Sequence, residues 1–251
     1  MARPKIKNSL LLITLMLLLV PVCASAVSLP TVSIGVEEAE TPQQVSTALQ
    51  VILLLTVLSI APAIILMTTC FTRIVIVLGF VRQAMGTQNM PPTQVIIGLS
   101  LFLTFFIMSP VINEVNTQAL QPYLNEEINQ TTAFSLAIKP MREFMFSQVE
   151  ESELTLLADI TLDSDPFDQD DIPTTTLIPA FMLSEMKKAF QMGFMIYIPF
   201  LVIDMIVASI LMSMGMMMLP PVIISMPFKL LLFVLVDGWA LVVGSLIKSF
   251  S

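Results

Sequence analysis

The chain has 251 residues, of which 56% are hydrophobic and 12% are charged, and its formal net charge is −8. Soluble domains contain about 25% charged residues and disordered chains have low hydropathy, so this composition excludes both classes and leaves an integral membrane protein. The acidic balance argues against nucleic-acid binding, and the absence of histidine removes histidine-based nucleophilic sites and the commonest metal ligand. We therefore expect a protein that is not an enzyme and that uses no metal or cofactor.

The first 26 residues are typical of a cleaved secretory signal peptide. Positive residues precede a short apolar run, Leu10–Val20, and Ala24 and Ala26 form an A-x-A cleavage site. The run is too short for a membrane span, which needs about 20 apolar residues. Cleavage after Ala26 would leave residues 27–47 as an N-terminal extracytoplasmic segment and Cys70 as the only cysteine.

Two apolar regions, 48–112 and 179–251, flank an acidic region, 113–178. Each apolar region contains two long apolar runs joined by a turn, and such runs predict membrane helices. The predicted helices are Ala48–Phe71, Val95–Ile112, Ala189–Leu219 and Val222–Ile247. We therefore predict an all-α membrane protein with two long kinked helical hairpins and an acidic, partly helical insert between them.

The charges also predict an orientation. With the N-terminus outside, the first helix enters the cytoplasm and Arg73 lies inside, in agreement with the cytoplasmic excess of cationic residues. The insert then lies in the periplasm, and the third helix enters the membrane from that side. Near this entry, Glu185 and Lys188 have the i,i+3 spacing of a helical ion pair.

Two features of the insert are visible in the sequence. Apolar spacing predicts a helix over Met141–Leu157. The stretch Asp163–Asp171 is rich in aspartate, but it lacks the turn glycine and terminal glutamate of a calcium-binding loop. We therefore expect this stretch to be a solvated loop.

Asp204 and Lys229 are charges embedded in the second apolar region. Charged residues are costly in a membrane, so they usually face a protein interior or a cavity and find a partner. The two residues are equidistant from the point between Met216 and Met217, each about 18 Å from it along a helix. We predict that they meet across the hairpin, either as a purely structural pair or as one that holds the hairpin while it moves. A proton relay has less support, because no histidine accompanies the carboxylate.

A methionine-rich turn lies at the tip of the second hairpin. Its residues are Met214, Gly215, Met216, Met217 and Met218, followed by Pro220 and Pro221. Methionine side chains are flexible and repack easily, so several copies around an axis could seal a pore that still yields to a passing chain. The alternatives are ordinary core or lipid-facing methionines, and a Met-lined channel for a soft metal or a small solute.

Several motifs resemble the FliP family of bacterial flagellar export proteins. They are Ile178–Glu185, Lys188–Phe194, Ile203–Met205, Gly215–Pro221, Pro227–Lys229 and Val236–Trp239, with Phe71–Arg73 and Asn89–Pro92 in the first half. The motifs occur in order over nearly the whole chain from about residue 45. One departure is Met186, which stands where leucine or isoleucine is usual.

The resemblance implies a subunit of the export gate of the flagellar type III secretion system, in the bacterial inner membrane at the flagellar basal body. It implies a pentamer of this chain, assembled with other small membrane subunits, that passes unfolded flagellar subunits outward. It assigns Met216, Met217 and Met218 to a gasket around the closed pore, and Asp204 and Lys229 to a functional charge pair.

The resemblance also implies a gate displaced toward the periplasmic side, where apolar helices contact protein as well as lipid. A homologous virulence-type secretion gate is the alternative. The signal peptide and the sizeable acidic insert favour the flagellar branch.

Overall fold

The computed structural model describes residues 42–87, 90–161, 171–216 and 218–250. The predicted signal peptide with Ala24 and Ala26, most of the Asp-rich stretch, and Met217 lie outside the described residues. Within the described ranges all regular elements are helices, which confirms the all-α membrane class. Leu53–Ser251 forms one compact unit, and of the residues before it the structure describes only 42–52, at the start of the first helix.

The helices are α1 (Pro42–Met67), α2 (Phe71–Ala84), α3 (Thr93–Val115), α4 (Gln121–Leu124), α5 (Gln130–Gln148), α6 (Glu151–Thr161), α7 (Thr174–Ser213), α8 (Pro221–Leu235) and α9 (Gly238–Lys248). A π-helical turn, Asn116–Leu120, joins α3 to α4. Among the described residues, three segments are long and apolar enough to cross a membrane: Leu49–Met67, Thr93–Leu124 and Thr174–Ser213. The bent pair α8 and α9 makes a fourth if it is counted as one span.

The first predicted helix, Ala48–Phe71, ends earlier than predicted and is followed by a separate helix. Helix α1 ends at Met67, and α2 begins at Phe71 after a short turn. The hydroxyls of Thr68 and Thr69 donate to main-chain carbonyls three residues earlier, at 3.2 and 3.0 Å. Such local hydrogen bonds compete with the regular helix, and hydropathy alone does not reveal them.

The prediction of one continuous helix over Val222–Ile247 is also wrong, because the structure has two helices there. Helices α8 and α9 meet at a bend of 63°. Asp237, between them, has a φ of 51°, in the left-handed region. A Cβ on the next residue, Gly238, would lie 2.3 Å from the Phe233 ring, so only glycine allows this close approach.

The predicted insert helix Met141–Leu157 is interrupted in the structure. Helix α5 ends at Gln148 and α6 begins at Glu151. At the break, the main-chain N–H of Glu150 donates to Ser184 Oγ at 2.9 Å instead of continuing the helix. This hydrogen bond ties the insert to α7.

Helices α3 and α7 extend beyond the apolar runs that predicted them. Helix α3 continues past Ile112, with Pro110 inside it. Helix α7 begins at Thr174, within the region predicted as insert, and ends at Ser213, before the predicted Leu219. The extensions have one cause: hydropathy marks where a helix can contact lipid, and a helix can continue through polar residues. The early end of α7 has another, since Gly215 adopts a φ of +75° and turns the chain.

The two hairpins lie side by side and point in the same direction. Helix α3 returns antiparallel to α2, since Arg82 near the end of α2 bonds Thr93 at the start of α3. Helix α2 runs parallel to α7: Arg73 pairs with Glu185, and further along the Phe80 and Phe190 rings pack edge to face at 5.4 Å.

The predicted membrane orientation is therefore wrong for this part of the chain. It assigned Arg73 to the cytoplasmic side and the entry of the third helix to the opposite side. In the structure Arg73 contacts Glu185 of α7 and Gln148 of the insert directly. Residues in direct contact lie at the same depth, so the strict alternation of sides along the chain does not hold.

Candidate functional site

The structure brings Asp204 and Lys229 together across the second hairpin. Lys229 Nζ on α8 lies 2.6 Å from Asp204 Oδ2 on α7. The lysine side chain is 2% exposed and the aspartate 25% exposed, so the ammonium is buried and one side of the carboxylate remains accessible. Ser225, one helical turn before Lys229, donates its hydroxyl to Asp204 Oδ1. Each carboxylate oxygen thus has one donor.

The turn of the first hairpin closes the other side of this pair. Gly86, just after α2, has a φ of +75°, which favours glycine. A Cβ at Gly86 would lie 3.9 Å from Lys229 Nζ and 3.8 Å from Val222 Cγ1. The lysine ammonium therefore lies at the C-terminal end of α2, where the helix dipole is negative and stabilises a cation. We call Asp204, Lys229, Ser225 and Gly86 the Asp204 site.

The methionine tip, residues 214–220, extends beyond the Asp204 site. Gly215 has a φ of +75° and turns the chain after α7. Pro220 precedes α8 and Pro221 is its first residue, where a missing N–H costs no helical hydrogen bond. The described methionine side chains of the tip, Met214, Met216 and Met218, are all exposed, and Met218 is 98% exposed.

An apolar groove separates the two helices between the Asp204 site and the tip. Its volume is about 410 Å³, and it is lined by α7 from Ile203 to Leu211 and by Ile224 and Phe228 of α8. Close packing normally leaves few voids larger than a water molecule. The groove opens to the surface and its lining residues are apolar, and the Asp204 site is the polar contact at its base.

A second polar site, which the sequence did not predict, lies at the opposite end of the hairpins. Arg73 is 1% exposed, and its guanidinium has five N–H donors. Nε and Nη2 bind both carboxylate oxygens of Glu185, and Nη2 also donates to Gln148 Oε1 at 3.0 Å. Nη1 donates to Ser249 O at 2.9 Å and to Ser249 Oγ at 3.0 Å. The Phe250 ring lies over the guanidinium, 3.8 Å from Cζ to the ring centroid.

This Arg73 site joins four separate parts of the chain: α2, the end of α5, α7 and the C-terminal residues. All five guanidinium N–H groups have an acceptor, and the planar group is bidentate toward Glu185, the geometry in which arginine binds carboxylate most strongly. The signal in the sequence was Arg73 itself, a charge between two apolar runs. The excess of cationic residues on the cytoplasmic side predicts a cytoplasmic position for Arg73. A charged residue between apolar runs, however, also commonly binds a buried partner.

The predicted helical pair Glu185–Lys188 is wrong. Glu185 is fully buried and bound to Arg73, and Lys188 Nζ donates to the main-chain carbonyl of Gln148 at 2.6 Å. The neighbouring Lys187 Nζ instead bridges Glu150 and Glu153, at 2.6 and 2.9 Å. These contacts fasten the break between α5 and α6 to α7.

The described residues include no group of three or more His, Cys, Asp or Glu side chains that could hold a metal ion. Cys70 is buried, with its Sγ 4.0 Å from Thr104 O. Burial raises the pKa of the Cys70 thiol to about 12. The thiol is therefore protonated at neutral pH, which makes it a poor nucleophile and a poor ligand.

Comparison with known proteins agrees with the motifs. The sequence model of the FliP family matches residues 54–246. The flagellar biosynthetic protein FliP of Bacillus subtilis is 55% identical over 217 residues, covering 86% of this chain and 98% of that protein. Those of Pectobacterium carotovorum and Caulobacter vibrioides are 50% and 47% identical, covering 83% and 92% of this chain and 81% and 86% of theirs. The chain therefore belongs to the FliP family.

Proposed function

We propose that this protein is a subunit of the flagellar type III export gate, which passes unfolded flagellar subunits out of the cytoplasm. Family membership supports a role in flagellar biosynthesis. The apolar helices support a place in a membrane. The place we propose is the inner membrane at the flagellar basal body, with the gate displaced toward the periplasmic side. The role is structural and involves no catalysis.

The assembly we propose contains five copies of this chain together with other small membrane subunits of the export apparatus. Large apolar side chains are exposed along α1, α3, α7 and α8 of the single chain, for example Leu53, Phe102, Phe194 and Val234. Exposed apolar surface on this scale marks contact with lipid or with other subunits. Both kinds of contact are needed to bury it.

The observation that carries the proposal is the position of the methionine tip. The tip lies beyond the Asp204–Lys229 pair, and its described methionines are exposed, Met218 to 98%. Several such tips around an axis form a ring of long, flexible thioether side chains. Such a ring excludes ions when closed and repacks around a polypeptide during export.

Replacing Met214, Met216, Met217 and Met218 with alanine tests this gasket. Shortening four side chains in every subunit leaves the closed pore unfilled, so we expect a measurable ion conductance in resting membranes. Met195→Ala is the matched control, because Met195 is equally exposed but lies on α7 away from the tip. Unchanged conductance in the tip variant, with normal amounts of assembled gate, would contradict the gasket.

The same variant separates a protein gate from a Met-lined metal channel. A gate loses its seal to ions in general and retains export of flagellar subunits. A channel for a soft metal would instead lose selective uptake of copper(I), with no effect on secreted flagellar protein. Measuring resting ion leak and copper(I) uptake in one strain decides between the two functions.

A further inference from the structure

The Asp204 site contains a residue that neither the sequence motifs nor the charge pair assigned. Ser225 is fully buried on α8, and its hydroxyl is within hydrogen-bond distance of Asp204 Oδ1 and of Val222 O, the latter at 3.1 Å. A hydroxyl has one proton and can donate it to one acceptor. The contact with Asp204 is the shorter, and a charged acceptor binds more strongly than a neutral carbonyl.

We propose that Ser225 is a positioning residue for the Asp204–Lys229 pair, and that it sets the angle at which the second hairpin supports the methionine tip. The proposal rests on the proposed function, because it concerns how the gate is held closed. Ser225 and Lys229 are both on α8, four residues apart, so they face the same side of the helix.

Two donors from one helix restrict the carboxylate more than a single ion pair does. Lys229 alone would leave Asp204 free to rotate about its side chain, with Oδ1 unpaired next to an apolar groove. Ser225 fixes Oδ1 while Lys229 fixes Oδ2. The carboxylate then fixes the axial position of α7 relative to α8. Because the methionine tip joins α7 to α8, fixing the relative position of these helices at the base of the hairpin also fixes the position of the tip.

The turn of the first hairpin encloses the lysine of this pair. Gly86 lies next to both Lys229 Nζ and Val222, the second residue of α8. The ammonium is 2% exposed and is enclosed between this turn and the Asp204 carboxylate. Movement of the tip therefore strains two hydrogen bonds at once, from Ser225 to Asp204 and from Lys229 to Asp204, beside the turn at Gly86.

The test begins with Ser225→Ala, measured in the assembled gate in its native membrane. We expect export of flagellar subunits to fall about tenfold, the size of effect typical for losing one hydrogen bond to a charged group. Resting ion leak should rise at the same time. Ser100→Ala is the matched control, because Ser100 is equally buried in a helix but donates only to Ile96 O of its own helix.

A double variant asks whether Ser225 acts through Asp204. In the Asp204→Asn background the pair is already broken, so Ser225→Ala should cause no further loss of export. If the two substitutions reduce export independently, or if Ser225→Ala alone behaves like Ser100→Ala, the positioning role is overturned. The amount of assembled complex is measured for every strain.

If Ser225→Ala lowers the amount of complex, Ser225→Thr keeps the proposal testable. Threonine retains the hydroxyl, so recovery of both assembly and export assigns the loss to the hydrogen bond, and failure to recover overturns the assignment. The proposed function has a separate outcome. If neither Asp204→Asn nor the methionine substitutions affect export or leak, the gate function fails, whereas an effect of Asp204→Asn without one of Ser225→Ala contradicts only the role of Ser225.

Discussion

The two polar sites of the hairpins differ in how completely their charges are bound. At the Arg73 site, all five N–H groups of the arginine have acceptors, and the partner Glu185 is fully buried. At the Asp204 site, the carboxylate has two donors and is 25% exposed, and a groove of about 410 Å³ lies beside it.

The difference indicates that the end of the hairpins held by Arg73 resists rearrangement more strongly than the end held by Asp204. We call these the rigid end and the adjustable end. A saturated, bidentate arginine allows one arrangement of its four partner segments. At the Asp204 site, a change of register breaks two hydrogen bonds to the carboxylate, fewer than the five that the Arg73 guanidinium donates. We propose that the Arg73 site fixes the open ends of the hairpins and that the Asp204 site positions the methionine tip.

Breaking the rigid end should have the largest effect. Arg73→Ala leaves the Glu185 carboxylate buried without a partner, which costs about 3–5 kcal/mol, so we expect the protein to be degraded before it assembles. Arg73→Lys should fail almost as badly, because an ammonium cannot bind in the bidentate manner. Immunoblots of membranes measure the outcome.

Arg82→Lys is the control for the arginine substitutions, since among the described residues the Arg82 side chain makes an exposed hydrogen bond to Thr93, at 3.0 Å. It should accumulate normally. If Arg73→Lys accumulates to the same level as Arg82→Lys, the Arg73 site is not the rigid end of the molecule.

Breaking the adjustable end should stop export while leaving more of the protein in the membrane. Asp204→Ala removes the partner of a buried ammonium, but Lys229 keeps the favourable C-terminal end of α2. We expect secreted flagellar protein to disappear and the assembled complex to be reduced only in part. Secretion and assembly are assayed in the same strain, and loss of both in equal proportion would remove the contrast with the Arg73 site.

Exchanging the charges sharpens this result. Asp204→Lys combined with Lys229→Asp restores an ion pair but places a carboxylate at the negative end of α2 and takes the acceptor from Ser225. Export should therefore recover above either single variant and remain below the wild type. An exchange that is no better than the single variants would show that pairing is not what the two residues contribute.

The predictable part of the fold was the part that hydropathy and spacing encode. Apolar runs predicted the helices, and equal distances from the tip predicted the approach of Asp204 and Lys229. The breaks after Met67 and at Asp237 were missed because they depend on side-chain hydrogen bonds of Thr68 and Thr69 and on a glycine against Phe233. These are contacts of the folded chain, and periodicity does not contain them.

The Arg73 site was missed for a related reason. Its partners Gln148, Glu185 and Ser249 are separated from Arg73 by 75, 112 and 176 positions along the chain. No local pattern connects such residues. The expected pair Glu185–Lys188 shows the converse error, because a suitable local spacing was overridden by a better buried partner.

A smaller effect should follow from disturbing the stacked aromatic ring of the Arg73 site. Phe250→Leu keeps an apolar side chain but removes the cation–π interaction, which contributes about 1–2 kcal/mol when desolvated. We expect a lower midpoint of thermal unfolding for the purified complex and unchanged export at the growth temperature. An unaltered midpoint would indicate that the C-terminal residues do not contribute to the rigid end.

The smallest effect is expected from labelling experiments that compare the thiol reactivity of the two ends. Burial raises the pKa of Cys70 to about 12, so this thiol should resist maleimide at pH 7.5 unless the protein is denatured. In a Cys23→Ser, Met218→Cys chain, the thiol at the tip should react rapidly and become protected when the gate assembles. Rapid labelling of Cys70 in the folded protein would contradict the tight packing around α2.

The length of α7 constrains where the whole assembly can lie. With 40 residues at 1.5 Å each it measures about 60 Å, twice the thickness of a bilayer's hydrocarbon layer of about 30 Å. Fitting it inside would need an inclination of about 60°, beyond the range of about 0–40° found for membrane helices. A substantial part of this helix must therefore stand clear of the fatty-acyl region, and in the gate that we propose this part would form the wall of the conduit beyond the lipid.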